Sequence, residues 1–123
     1  MNDIEAKQIA RRERYLRDPL PVRLGNLASN LARIGSFSNH PTMGEAAGKA
    51  LDESLFFIEW TAADASLPQQ AELIELRQLL ARWRPEWAEI WNDPGRRSET
   101  AAQAGVWSQR ILESSGLLNP QGV

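Results

Sequence analysis

The sequence contains no cysteine, and it has only one histidine and one tyrosine. Without cysteine, the chain can form no disulfide bonds, thiolate metal sites or cysteine nucleophiles, and its composition fits a reducing compartment. One histidine is too few for a histidine-based zinc site or for the paired Glu-x-x-His motifs of a di-iron bundle. We therefore predict that the protein uses no metal and no cofactor.

Long apolar runs and the common catalytic motifs are missing as well. The longest apolar run is residues 55–58, far short of the roughly 18 residues that a membrane span needs. The first residues lack the apolar centre of a secretory signal, and neither G-x-G-x-x-G nor G-x-S-x-G occurs. These absences predict a cytoplasmic protein with no membrane partner, no catalytic residues and no enzymatic activity.

The net charge of −2 conceals an uneven distribution along the chain. The net charge is +3 over residues 1–40, −6 over residues 41–94 and +1 over residues 95–123. A basic end beside an acidic middle favours self-complementary contacts, within the chain or between two copies. No segment is basic enough to require nucleic acid, so we do not expect nucleic-acid binding.

Apolar residues recur at helical spacing along most of the chain. The clearest stripe lies in residues 72–91, where one helix face collects Leu73, Leu76, Leu80, Trp83, Trp87 and Ile90. Residues 20–34 carry a second stripe, and residues 43–63 are apolar nearly all round. No alternating apolar–polar run predicts a strand. We predict one all-α domain over residues 1–123, an antiparallel bundle of four to five helices with short loops.

The two ends and one proline should depart from this regular bundle. Residues 1–17 form a thin, basic helix that we expect to dock loosely on the bundle or to dock on a second subunit. Residues 119–123 should fray. Pro85 removes a backbone donor inside the 72–91 stripe. We expect it to kink that helix rather than split it, because the apolar phase continues past it.

Turn and capping residues predict where several helices begin and end. Thr42-x-x-Glu45 and Ser66-x-x-Gln69 have the spacing of capping boxes, each opening a helix. Residues 92–95, NDPG, should form a tight turn. Ser98 would then cap the last helix, and Gly116 should end it in a left-handed conformation.

Tryptophans are the first candidates for a binding surface. Trp60, Trp87 and Trp91 are the three that we single out for contact with a partner or with a flat apolar ligand. Trp83 and Trp87 share the phase of the apolar stripe, so we expect them mainly in the core. Trp91 lies beyond Pro85 at the end of its helix, and we expect it to contact something outside the chain.

Three charged residues are further candidates. Glu59 lies between apolar neighbours in residues 55–60, so we expect a buried carboxylate held by an arginine, or a ligand contact. Arg96 and Arg97 lie at the predicted start of the last helix, where positive charge is unfavourable. They should face an acidic side chain of the −6 segment, or a bound anion.

One pair of residues resembles a known motif. Six residues separate Arg33 from His40, and this spacing resembles the Arg–His motif of the HEPN-type helical ribonucleases. The resemblance implies RNA cleavage at these two residues. Gly35 and Pro41 place His40 in a loop, whereas the family's histidine lies on a helix. Ile34 stands where that family usually has a polar residue.

Together these patterns favour a non-enzymatic interaction domain. Residues 43–63 and the tryptophan stripe carry more apolar surface than one small bundle should bury, while the first helix cannot stand alone. We therefore predict a homodimer, with another protein as a further partner. Two alternatives stay open: a bundle that binds a flat apolar small molecule against its tryptophans, and the HEPN-like ribonuclease.

Overall fold

The computed structural model describes residues 2–118, and its regular structure is entirely helical over that range. Its helices are α1 (Asp3–Leu16), α2 (Leu20–Phe37), α3 (Gly44–Thr61), α4 (Leu67–Trp83), α5 (Trp87–Asn92) and α6 (Pro94–Ser115). Single 3₁₀ turns occupy Pro41–Met43, Ala62–Asp64 and Arg84–Glu86. The predicted all-α fold class is confirmed. The fraying predicted for residues 119–123 concerns a segment outside the described residues.

Helix α2 makes its most extensive contact with α6 and its next most extensive with α3. The hydroxyl of Ser108 donates to the carbonyl oxygen of Ala28 at 2.7 Å. A Cβ atom placed on Gly25 would lie 2.5 Å from Cδ1 of Leu117, so a larger residue there would require the Leu117 side chain to move. Small residues therefore let the backbones of α2 and α6 approach each other closely, in antiparallel directions.

Helices α3 and α4 complete a four-helix unit with α2 and α6. Cross-helix hydrogen bonds join successive neighbours, between Asn30 and Glu53, between Arg84 and Asp52, and between Gln69 and the Ser114 carbonyl. Together with the short connections, these contacts set each helix antiparallel to both of its neighbours in the ring α2–α3–α4–α6. The predicted antiparallel bundle is confirmed, with α1 added on the outer side of α3.

The apolar stripe predicted in residues 72–91 forms the core side of α4 and α5. Its six members are each 7% exposed or less. Pro85 has a stronger effect than the expected kink, because the α-helix ends at Trp83 and α5 begins only at Trp87. Proline has no N–H for the carbonyl one turn back. The intervening 3₁₀ turn nevertheless keeps Trp83 and Trp87 on the same side.

Two predicted helix ends are confirmed. The Ser66 side chain accepts from the Gln69 backbone, and the Gln69 side chain accepts from the Ser66 backbone, so the capping box is complete. Gly116 has φ +87°, the left-handed conformation expected after a helix.

Two other capping predictions are wrong. Helix α3 begins at Gly44 without a side-chain cap, because a 3₁₀ turn that contains Thr42 precedes it. Helix α6 begins four residues before Ser98. The Asp93 carboxylate caps it by accepting from the backbone of Gly95 and Arg96. The expected tight turn at residues 92–95 is therefore the start of α6.

Candidate functional site

Tyr15, the single tyrosine, joins α1 to α2 and α3 by hydrogen bonds. The Tyr15 hydroxyl donates to the carbonyl oxygen of Arg23 at 3.0 Å and lies 2.7 Å from the Thr61 hydroxyl. Since a phenol has one proton to donate, the Thr61 hydroxyl is the donor in the second bond. The Tyr15 ring stacks on Phe57 with 4.1 Å between ring centres. Burial raises the pKa of Tyr15 from 10.0 to about 12, although the Thr61 hydrogen bond and the nearby Arg23 charge oppose that rise.

Trp60 belongs to an aromatic cluster beneath α1. Its ring is half-buried and stacks on Phe56 with 5.4 Å between centres, and it tilts against Tyr15 at 5.7 Å. The cluster joins the C-terminal end of α1 to α3. Trp60 is thus the one candidate tryptophan that combines an exposed edge with a position next to α1.

A groove of about 660 Å³ opens along the seam between α1 and α3. Gln8 and Arg11 line its α1 side. Six α3 residues line the other side, namely Lys49, Asp52, Glu53, Leu55, Phe56 and Glu59. Of its eight lining residues, two are apolar and five are charged, so the groove places Leu55 and Phe56 among charges of both signs.

Glu59 lies on the rim of this groove, and its side chain is exposed. It makes no ion pair with any residue in the described part of the chain. The expectation of a buried carboxylate held by an arginine is therefore wrong. The apolar neighbours in sequence point to other faces of α3, and Glu59 points to solvent.

The other candidate tryptophans are enclosed within the chain. Trp87 is 6% exposed and Trp91 is 3% exposed. The indole N–H of Trp87 donates to the Gly44 carbonyl at 3.0 Å, and that of Trp91 donates to the Pro41 carbonyl at 3.1 Å. The prediction that Trp91 would contact something outside the chain is wrong, because the segment before α3 covers its ring. Of the three candidate tryptophans, Trp60 is the one that is not buried.

The adjacent arginines at the start of α6 have different surroundings. Arg96 pairs with Glu86 at 3.4 Å, so it faces an acidic side chain of the −6 segment as one alternative predicted. Arg97 donates to two carbonyl oxygens, that of Ser38 at 3.1 Å and that of Trp91 at 2.7 Å. It thereby supplies donors to the C-terminal ends of both α2 and α5.

The two residues of the ribonuclease-like spacing are not brought into one pocket. Arg33 is exposed and donates to the Asn30 side chain at 3.3 Å. His40 is exposed in the loop before the 3₁₀ turn, and only its backbone N–H and carbonyl form hydrogen bonds in the described structure. The two side chains line different surface depressions, which share the ring of Phe37. His40 thus occupies the predicted loop.

Helix α1 carries exposed apolar and basic side chains on more than one of its faces. Ile4 is 72% exposed and Ile9 is 45% exposed. Five exposed cations lie on α1 and at its end, and within residues 2–118 none of the five forms an ion pair: Lys7, Arg11, Arg12, Arg14 and Arg17. Sequence reasoning noted the thinness of this helix and missed Ile4, Ile9 and Phe56 as surface groups.

Other kinds of site find little support in the described residues. Within residues 2–118, no three acidic or histidine side chains gather in a way that could hold a metal ion. No helix there has the length and apolarity needed to cross a membrane. Comparisons with family models, curated proteins and solved structures gave no significant match. The surface of α1 and the adjoining groove are therefore the candidate functional site.

Proposed function

We propose that this chain is a non-enzymatic interaction domain that associates with a second copy of itself. The observation that carries the proposal is the set of exposed apolar and basic side chains on α1. Ile4 and Ile9 hold apolar area in water, and removing such area from water contributes about 25 cal/mol per Å². An isolated exposed residue would need no explanation, but these two lie on the helix that borders the groove, where Leu55 and Phe56 are also partly exposed.

Charge supports a second copy as the partner. Residues 1–17 contain five cationic and three acidic side chains, which gives a net charge of +2. Because the whole chain has a net charge of −2, the remaining residues have a net charge of −4. Opposite charges on two regions of one molecule attract a second copy in a fixed orientation. A closed two-fold dimer uses the same pair of patches twice, so each α1 meets the acidic body of its partner.

The mass in solution tests this proposal. Sedimentation equilibrium or multi-angle light scattering at tens of micromolar protein should give twice the 13.8 kDa chain mass. The apparent mass should fall as the protein is diluted, and it should fall further at high salt because exposed charge pairs are screened. A single-chain mass at that concentration would refute self-association.

A further inference from the structure

We infer that the groove between α1 and α3 is the binding site for the partner's α1, with Ile4 and Ile9 of one copy packing against Leu55 and Phe56 of the other. This inference rests on the proposed function, since it assigns the surface through which the two copies meet. Its occupant is a second copy of this chain.

The groove is lined by two apolar and five charged side chains, and Arg11 and Lys49 are the cations among them. Leu55 and Phe56 are half-buried. Of the three acids along the groove, Asp52 is paired with Arg84 and Glu53 accepts from Asn30 at 2.9 Å. Glu59 has no such partner in the described structure and remains exposed. A helix with apolar and basic side chains matches this combination.

Helix α1 supplies exposed apolar and basic side chains to the partner's groove. Ile4 is too exposed to be packed on its own chain, and burial of each isoleucine between copies would strengthen association. The cations of α1 have no ion-pair partners in the described chain, and Glu59 on the facing copy supplies one. Because the arrangement is reciprocal, each substitution removes its contact twice per dimer.

Single-cysteine variants test the placement directly, since the natural chain has no cysteine. Ile9→Cys and Lys49→Cys are prepared separately and mixed under mild oxidation, so every mixed disulfide joins two molecules. Lys49 is exposed and lines the groove. The control pairs Ile9→Cys with Val106→Cys, which is 60% exposed on α6. Preferential cross-linking to position 49 supports the inference, and equal cross-linking to both positions overturns it.

Dimer affinity gives an independent test. The double variant Ile4→Gln, Ile9→Gln should raise the dimer Kd about tenfold or more, while Ile74→Gln, at a site 58% exposed on α4, should leave it unchanged. Glu59→Lys should also weaken the dimer, and the matched Glu89→Lys on α5 should not. Circular dichroism confirms that each variant keeps its helices.

The outcomes separate the two proposals. If the natural chain is monomeric at tens of micromolar, self-association fails, and this inference fails with it. If the natural chain is dimeric and the Ile4→Gln, Ile9→Gln variant has the same Kd, self-association stands and the assignment to the α1–α3 groove is refuted.

Discussion

The hydroxyl of Tyr15 lies 2.7 Å from that of Thr61, and this bond joins α1 to the last residue of α3. The same phenol donates to the Arg23 carbonyl of α2, so one oxygen atom connects three helices. We predict that Tyr15→Phe lowers the free energy of unfolding by about 1–3 kcal/mol, because it leaves the buried Thr61 hydroxyl without its acceptor. Urea unfolding followed by circular dichroism measures the change.

A double-mutant cycle with Thr61→Val provides the control. The two substitutions together should cost less than the sum of the single changes, because the second one removes a group that the first has already left unpaired. Strict additivity would show that the Tyr15–Thr61 bond contributes nothing to stability.

The ionisation of Tyr15 should reduce stability at high pH. Its pKa is about 12 in the folded chain and 10.0 ordinarily, chiefly because burial disfavours the phenolate. The stabilising contribution is complete below pH 10, and it is lost as the pH rises towards 12. A difference of this size corresponds to about 2–3 kcal/mol. Since this tyrosine is the only one, ultraviolet absorbance of its phenolate reports the site directly. Titration near 10 in the native protein would contradict the prediction.

Replacing either of two glycines with alanine should change the stability of the fold, but in opposite directions. A Cβ atom on Gly44 would lie 2.6 Å from Cδ1 of Trp91, whose ring is held by its bond to the Pro41 carbonyl. Gly44→Ala should therefore destabilise the fold by about 1–3 kcal/mol. Gly105 lies inside α6 with no atom within 4 Å of such a Cβ, and Gly105→Ala should stabilise by about 0.5–1 kcal/mol. Thermal unfolding should show a lower Tm for Gly44→Ala and a higher Tm for Gly105→Ala. A higher Tm for both variants would be inconsistent with the packing described for Trp91.

The neighbouring arginines of α6 form a second matched pair. Arg97→Ala removes the donor to the Ser38 and Trp91 carbonyls and should cost about 1–3 kcal/mol. Arg96→Ala breaks only an exposed pair with Glu86 and should cost about 0–1 kcal/mol. Guanidinium unfolding distinguishes the two. Equal losses would mean that the two carbonyl bonds of Arg97 add nothing beyond its charge.

The sequence predicted the helical fold and the buried side of α4 and α5 because helical phase depends on local spacing alone. Leu73 and Ile90 lie seventeen positions apart, yet both are 3% exposed or less. The Ser66 capping box was predictable for the same reason, since both of its hydrogen bonds lie within four residues.

The surroundings of Trp91, Glu59 and Arg97 depend on contacts between distant parts of the chain. Trp91 bonds to a carbonyl 50 residues earlier, and Arg97 to one 59 residues earlier, and no local pattern specifies these partners. One signal was present: Gly44 and Gly48 are four apart on α3, and both lie against tryptophan rings. The groove beside α1 was not predictable, since it depends on how two helices meet.

The central pairing of α2 with α6 has a consequence for the order of folding. Helix α2 ends at Phe37, and α6, its most extensive partner, begins only at Pro94. During synthesis from the N-terminus, the small-residue side of α2 therefore emerges long before α6 exists to cover it. The nascent chain can form its early hairpin of α2 and α3, but the bundle can close only after almost all of its residues have left the ribosome.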